Sequence, residues 1–144
     1  AVKIYKDKEA DWIKKDKNLL SAYRKGRDQY SVSCGACHQA DGKGLANMAP
    51  TLAQSDWVIG DAKRLIGLAV HGLMGPIKVN GKLVEGVPPI MPPHGFMKDE
   101  QLAGILTYVR NAWGNRAGLI STEDITRYRK TESARVAPWT EAEF

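Results

Sequence analysis

Cysteine is scarce, two in 144 residues, so the chain is no multi-disulfide scaffold. Long apolar runs are missing too. The most apolar stretch, Leu65 to Val70, falls far short of the roughly 20 residues a bilayer-crossing helix requires, which excludes a membrane span. No internal repeat or low-complexity tract is present. Ala1 is no initiator Met and no signal-peptide pattern follows it, so the chain reads as a mature or trimmed form, for which a removed leader is the expectation though none is seen. What remains is 43% hydrophobic and 26% charged, enough for one domain with a modest core and too apolar for a disordered chain.

The formal charge is +5. Residues 1–28 carry nine basic and five acidic side chains, residues 29–100 six of each, and residues 101–144 six and five. The excess thus belongs to the N-terminal segment. There Lys3, Lys6, Lys8, Lys14, Lys15 and Lys17 are interleaved with Asp7, Glu9, Asp11 and Asp16, the pattern of a solvated helix face with mixed pairs rather than a nucleic-acid footprint.

Periodicity predicts a helix over 18–33, with Gly26, Tyr30 and Cys34 on one face, then a Gly-rich loop from Gly35 to Pro50. A second helix is expected over 62–71, with Asp61 as N-cap and Gly72 as stop. Asn80-Gly81 between short alternating runs predicts a hairpin over 77–84, pairing Val79 with Lys82 and Ile77 with Val84. Four prolines around Met91 make 87–93 a stiff extended loop. Leu102, Ile105, Leu106 and Val109 predict a helix over 99–113, and Ser121 or Thr122 caps a shorter one that ends near Arg127 to Lys130. From Thr131 onward the tail reads as an extended surface segment.

Both cysteines lie in Cys34-Gly35-Ala36-Cys37-His38, the C-x-x-C-H pattern of c-type haem attachment. Two thiols three residues apart on one helical turn can each add to a vinyl group of the same porphyrin, and the next residue places an imidazole beneath the iron. A thioredoxin-like pair needs a preceding strand, a zinc knuckle needs a second Cys/His pair, and a plain disulfide leaves His38 without a role. The iron needs a sixth ligand, for which Met48, Met74, Met91, Met97, His71 and His94 are candidates. Met91 stands out because Pro92-Pro93 stiffen its loop; His94 in the same loop and Met74 beside a Gly-Pro turn are its rivals. No triad-like or dyad-like arrangement of catalytic residues is visible.

Tyr30, the C-x-x-C-H motif, Asp41-Gly42-Lys43-Gly44, Ala49-Pro50-Thr51-Leu52, Met91-Pro92-Pro93-His94-Gly95 and Leu106-Thr107-Tyr108-Val109-Arg110 follow one another in an order that resembles the class I c-type cytochromes, from about residue 26 to residue 115. The resemblance implies an all-α fold wrapped around one covalent haem c, to which the short hairpin near 77–84 is added. It divides the chain into an N-terminal extension (1–17), a haem domain (18–116) and a C-terminal helix with an extended tail (117–144). It implies crossed first and last core helices, with Gly26 and Tyr30 against Leu106 to Val109. It implies thioether attachment through Cys34 and Cys37, iron ligation by His38 and Met91, and a Pro50 carbonyl that accepts a hydrogen bond from His38.

Ser55-Asp56-Trp57-Val58, His71 to Ile77, Trp113-Gly114-Asn115 and Pro138-Trp139-Thr140 look like a bacterial periplasmic subgroup whose members partner dehydrogenases or are fused to them. Lys98 departs from the Ser or Thr frequent in the family at the start of the last core helix, and the N-terminal extension lies outside the core pattern. The implied function is one-electron transfer between a periplasmic dehydrogenase, reductase or oxidase and another redox protein. The alternatives are a cytochrome subunit of a larger dehydrogenase or reductase complex, and a haem peroxidase or gas sensor with an open distal position.

Overall fold

Asp16 turns its carboxylate onto the backbone N–H groups of Asn18 and Leu19, both at 3.1 Å, and so starts the long helix α2 (Lys17–Ser33). The computed structural model describes residues 9–84 and 90–144. Lys3, Lys6, Lys8 and Asp7 of the N-terminal segment, and Pro88 and Pro89 of the proline-rich loop, lie outside the described residues.

Helix α2 buries Leu19, Tyr23, Gly26 and Tyr30, one stripe at helical spacing. That stripe packs on α6 (Asp99–Asn111), in which every residue from Leu102 to Asn111 is buried. At the crossing Gly26 meets the backbone of Gly104, where a Cβ on Gly26 would collide with the Gly104 carbonyl. The rings of Tyr23 and Tyr30 close on Tyr108, with centroids 4.9 and 5.4 Å away. The expected helix–helix contact is therefore present, centred on Gly104 and Tyr108.

Around this pair the chain adds α1 (Asp11–Lys14), the single turn α3 (Gly35–His38), α4 (Asp56–Ile59), α5 (Ala62–His71) and α7 (Thr122–Thr131). Caps place the last three. Ser55 accepts from Trp57 N and Asp61 from Lys63 N, while Ser121 and Asp124 form a reciprocal capping box. The N-terminal stretch docks on the rest: Ile13 is 1% exposed, and Glu9 takes a bidentate pair of bonds from Arg24 at 2.8 and 2.9 Å.

Among the described residues the strands form two antiparallel ribbons. In the hairpin, β2 (Lys78–Val79) and β3 (Lys82–Leu83) pair Val79 with Lys82, and Val84 N donates to Ile77 O at 3.0 Å, the expected register. The second ribbon joins β1 (Leu73–Met74) to β4 (Ile90–Met91), pairing Leu73 with Met91.

Four sequence expectations need correction. The loop expected from Gly35 begins only at Gln39, because Cys37, His38 and Gln39 bond back to Cys34 and Gly35 carbonyls as a helical turn. The stretch 87–93 is not loop throughout, since Ile90 and Met91 pair with β1. Helix α6 stops at Asn111, not Trp113. The Asn111 side chain bonds Thr107 O and Gly118 O and accepts from Ala117 N and Gly118 N, which draws the chain away from the helix at Ala112. The tail beyond Thr131 is not a plain surface segment: Trp139 makes a parallel bridge to Leu73, and Glu141–Glu143 form a 3-10 turn.

Candidate functional site

A cavity of about 580 Å³ opens between the C-x-x-C-H turn, the Gly44–Leu52 loop, α5, the hairpin and β4. Its wall is largely aliphatic and aromatic, including Trp57, Val58, Leu65, Leu68, Leu73 and Ile77. Cys37, His38, Pro50 and Met91 line it; Cys34 is not among the lining residues and sits at the junction of α2 and α3, packed against the core.

The turn that carries the motif is held from behind. Cys34 N donates to Tyr30 O at 2.8 Å, continuing α2 into the turn. Tyr30 Oη donates to Gln39 O at 2.7 Å and Trp113 Nε1 to Ala40 O at 3.1 Å, which fix the exit from the turn. Asn115 then ties the next loop to α6, donating to Leu52 O and Val109 O and accepting from Gln54 N. The buried Arg110 reaches Val58 O and Gly60 O, both at 3.0 Å, and Ala117 O at 2.7 Å. The scaffolding roles of Trp113, Arg110 and Asn115 were not read from the sequence. A Trp-Gly-Asn run directly after a helix was the available signal.

His38 is buried, and its Nδ1–H donates to Pro50 O at 3.0 Å. The ring is therefore oriented and its Nε2 lone pair is left for a metal. Burial pulls its pKa below the ordinary imidazole value; the Pro50 bond opposes that effect and His94 adds to it. A neutral imidazole is the form a metal takes. Burial also pushes the Cys34 thiol up to about 12, with the Cys37 sulfur contributing.

The six candidates for the sixth iron ligand separate clearly. Met91 and Met48 line the cavity, the latter 55% exposed and in the same loop as Pro50. Met74, 42% exposed, is absent from the lining, and Met97, 6% exposed, is part of the core. His71 Nδ1 is bonded to the Tyr128 hydroxyl at 2.8 Å. His94 does not line the cavity; its backbone N–H is bonded to Ala69 O, and its Nδ1 is buried with no hydrogen-bond partner among the described residues.

The donor set fits a haem and fits a bare metal ion poorly. Among the described residues no three His, Cys, Asp or Glu side chains converge on a point. One imidazole and one thioether satisfy a metal only if it arrives inside a macrocycle that supplies the other donors. The apolar walls suit a porphyrin face, the paired thiols suit its vinyl groups, and Lys43 and Lys82 in the lining suit its carboxylates.

A profile of the family described as Cytochrome c matches residues 23–113. The chain is 31% identical over 111 residues to the cytochrome c subunit of a quinone alcohol dehydrogenase from Gluconacetobacter polyoxogenes, covering 74% of this chain and 22% of that subunit. It is 30% identical over 142 residues to the gluconate 2-dehydrogenase cytochrome c subunit of Pantoea cypripedii, covering 90% of this chain and 31% of that protein. It is 35% identical over 88 residues to cytochrome c-552 of Thermus thermophilus, covering 58% of this chain and 65% of that protein. The chain thus spans less than a third of the two dehydrogenase subunits it matches.

Proposed function

The chain belongs to the cytochrome c family, and on that premise we propose that it is an electron carrier rather than an enzyme, and that it holds one haem c through Cys34 and Cys37, with His38 and Met91 as the residues that would ligate the iron. When bound, the haem supplies an iron that gains and loses one electron. The protein's part is to bind, orient and enclose. The Pro50 carbonyl keeps the His38 ring in one orientation and the aliphatic wall excludes water; with both His38 and Met91 bound, the iron would keep no position for small molecules. His/Met ligation raises the reduction potential relative to two histidines. The carrier works between a periplasmic dehydrogenase or reductase and a second redox protein.

The observation that carries this reading is that His38, fixed on Pro50, and Met91, from a distant part of the chain, line one apolar cavity. The test is the absorption of the oxidised holoprotein and of three variants. Met91→Ala abolishes the far-red sulfur-to-iron band, whereas Met48→Ala and Met74→Ala keep it. A high-spin wild-type spectrum that shifts at once on adding cyanide favours the peroxidase or sensor alternative instead.

A second reading makes this chain the cytochrome unit of a larger dehydrogenase. The match to the gluconate 2-dehydrogenase subunit favours it, because that match runs over 142 residues and so takes in segments on both sides of the haem region. Purification of the native protein under mild conditions separates the two: co-elution with a dehydrogenase at fixed stoichiometry supports the subunit, and elution alone supports the free carrier.

A further inference from the structure

Leu73 lies between two strands of unlike origin. It pairs antiparallel with Met91 on one side and makes a parallel bridge to Trp139 on the other. On the outer side Met74 N donates to Trp139 O at 2.8 Å and Trp139 N to Gly72 O at 2.9 Å. The backbone carrying Met91 is thus one edge of a three-ply strip whose opposite edge comes from the C-terminal tail. The plies have no slack: at Gly72, with φ +87, a Cβ would lie 2.7 Å from the Met91 carbonyl oxygen.

Trp139 is itself anchored. The Arg135 guanidinium sits over its ring at 3.3 Å, and Phe144 lies beside it at 5.2 Å. Its indole N–H, which can only donate, bonds the Tyr128 oxygen at 2.8 Å. That leaves the Tyr128 hydroxyl proton for His71 Nδ1, also at 2.8 Å, at the end of α5.

The chain downstream of Met91 is held by the same C-terminal segment. Arg129 of α7 donates to Gly95 O at 2.7 Å and to Met97 O, and pairs with Asp99 at the head of α6. One planar cation therefore ties three points of the link between β4 and α6.

We infer that residues 121–144 form a strap that positions the Met91 thioether, with Trp139 and Arg129 as its positioning residues. The inference rests on the reading of Met91 as axial ligand. A thioether is a neutral, weak donor, so its hold depends on a backbone that keeps it in place. An added ligand reaches the iron only when the Met91 segment opens, and its apparent affinity rises in proportion to the open fraction.

The test is imidazole binding to the oxidised holoprotein, with the reduction potential read alongside. Trp139→Ala and Arg129→Gln each bind imidazole about tenfold more tightly than wild type and shift the potential, while Trp139→Phe, which keeps the ring under Arg135, stays near wild type. Ile13→Ala, in the core but outside the strap, lowers the thermal midpoint without changing imidazole affinity. Wild-type affinity in Trp139→Ala and Arg129→Gln overturns the strap, and so does equal tightening in Ile13→Ala at matched thermal midpoint. Met91→Ala separates the two levels. If it keeps the sulfur-to-iron band, the axial reading and the strap both fall; if it loses the band while the strap variants behave as wild type, only the strap falls.

Discussion

Gly26 and Gly104 meet backbone to backbone where α2 crosses α6, and the contact is not symmetric. A Cβ on Gly26 would collide with the Gly104 carbonyl and crowd Tyr108, whereas a Cβ on Gly104 would stop 3.4 Å from Gly26 N. Helix preference alone would make alanine favourable at either position by about 0.5–1 kcal/mol. At Gly26 the collision is with backbone, so the helices must part, and overpacking of this kind costs about 1–3 kcal/mol. Gly26→Ala is therefore expected to destabilise the holoprotein clearly, and Gly104→Ala to change it by no more than about 1 kcal/mol either way. Urea unfolding midpoints of the two variants check this; equal losses would contradict it.

Asn115 binds two segments with one buried side chain. Its amide donates to Leu52 O and Val109 O and accepts from Gln54 N, spanning the loop below the cavity and the end of α6. Asn115→Ala strands those backbone groups, and an unsatisfied buried polar group costs about 1–3 kcal/mol. The expected outcome is a loss in that range by chemical denaturation, with faster amide exchange over 51–55 than in wild type.

Asp99 gives the protein an acid-sensitive fastening. The Thr126 hydroxyl and then the Arg129 guanidinium hold its carboxyl below the usual carboxylate range. A depressed folded-state pKa contributes stability that is complete above the unfolded value, about 3.9, and is lost as pH falls through the folded value. Wild type is thus more stable than Asp99→Asn at neutral pH, and the gap closes below about pH 4. Unfolding midpoints of both proteins across the acid range test the sign; a gap that widens on acidification rules it out.

What the sequence made legible was local. Helices α2, α5 and α7 and the Asn80-Gly81 hairpin carry their own periodicity, caps and turn residues, and they lie close to where these signals place them. The C-x-x-C-H turn is equally local. What stayed hidden depends on partners distant in the chain. Two-residue strands such as Leu73–Met74 have no periodicity to read, and nothing near Trp139 announces Leu73 as its neighbour. The end of α6 differs for another reason: the Asn111 side chain captures the nearby Ala117 and Gly118 backbone, which apolar periodicity does not register. Among the six candidate ligands, spacing and prolines favoured Met91, but only the cavity separates Met91 and Met48 from Met74, Met97, His71 and His94. Trp139 and Phe144 in a polar tail were the one sign that the tail folds back.

The strip formed by Trp139, Leu73 and Met91 also distinguishes the two walls of the cavity by how much chain lies between their contacts. The turn from Cys34 to His38 and its brace at Pro50 come from one short stretch whose own contacts close small loops, and Trp113 and Asn115 reach back to that stretch from beyond α6. The opposite wall has high contact order, because residue 73 must find both 91 and 139. The wall built on the C-x-x-C-H turn is thus partly closed by local contacts, while the wall that carries Met91 is complete only with the tail docked on Leu73.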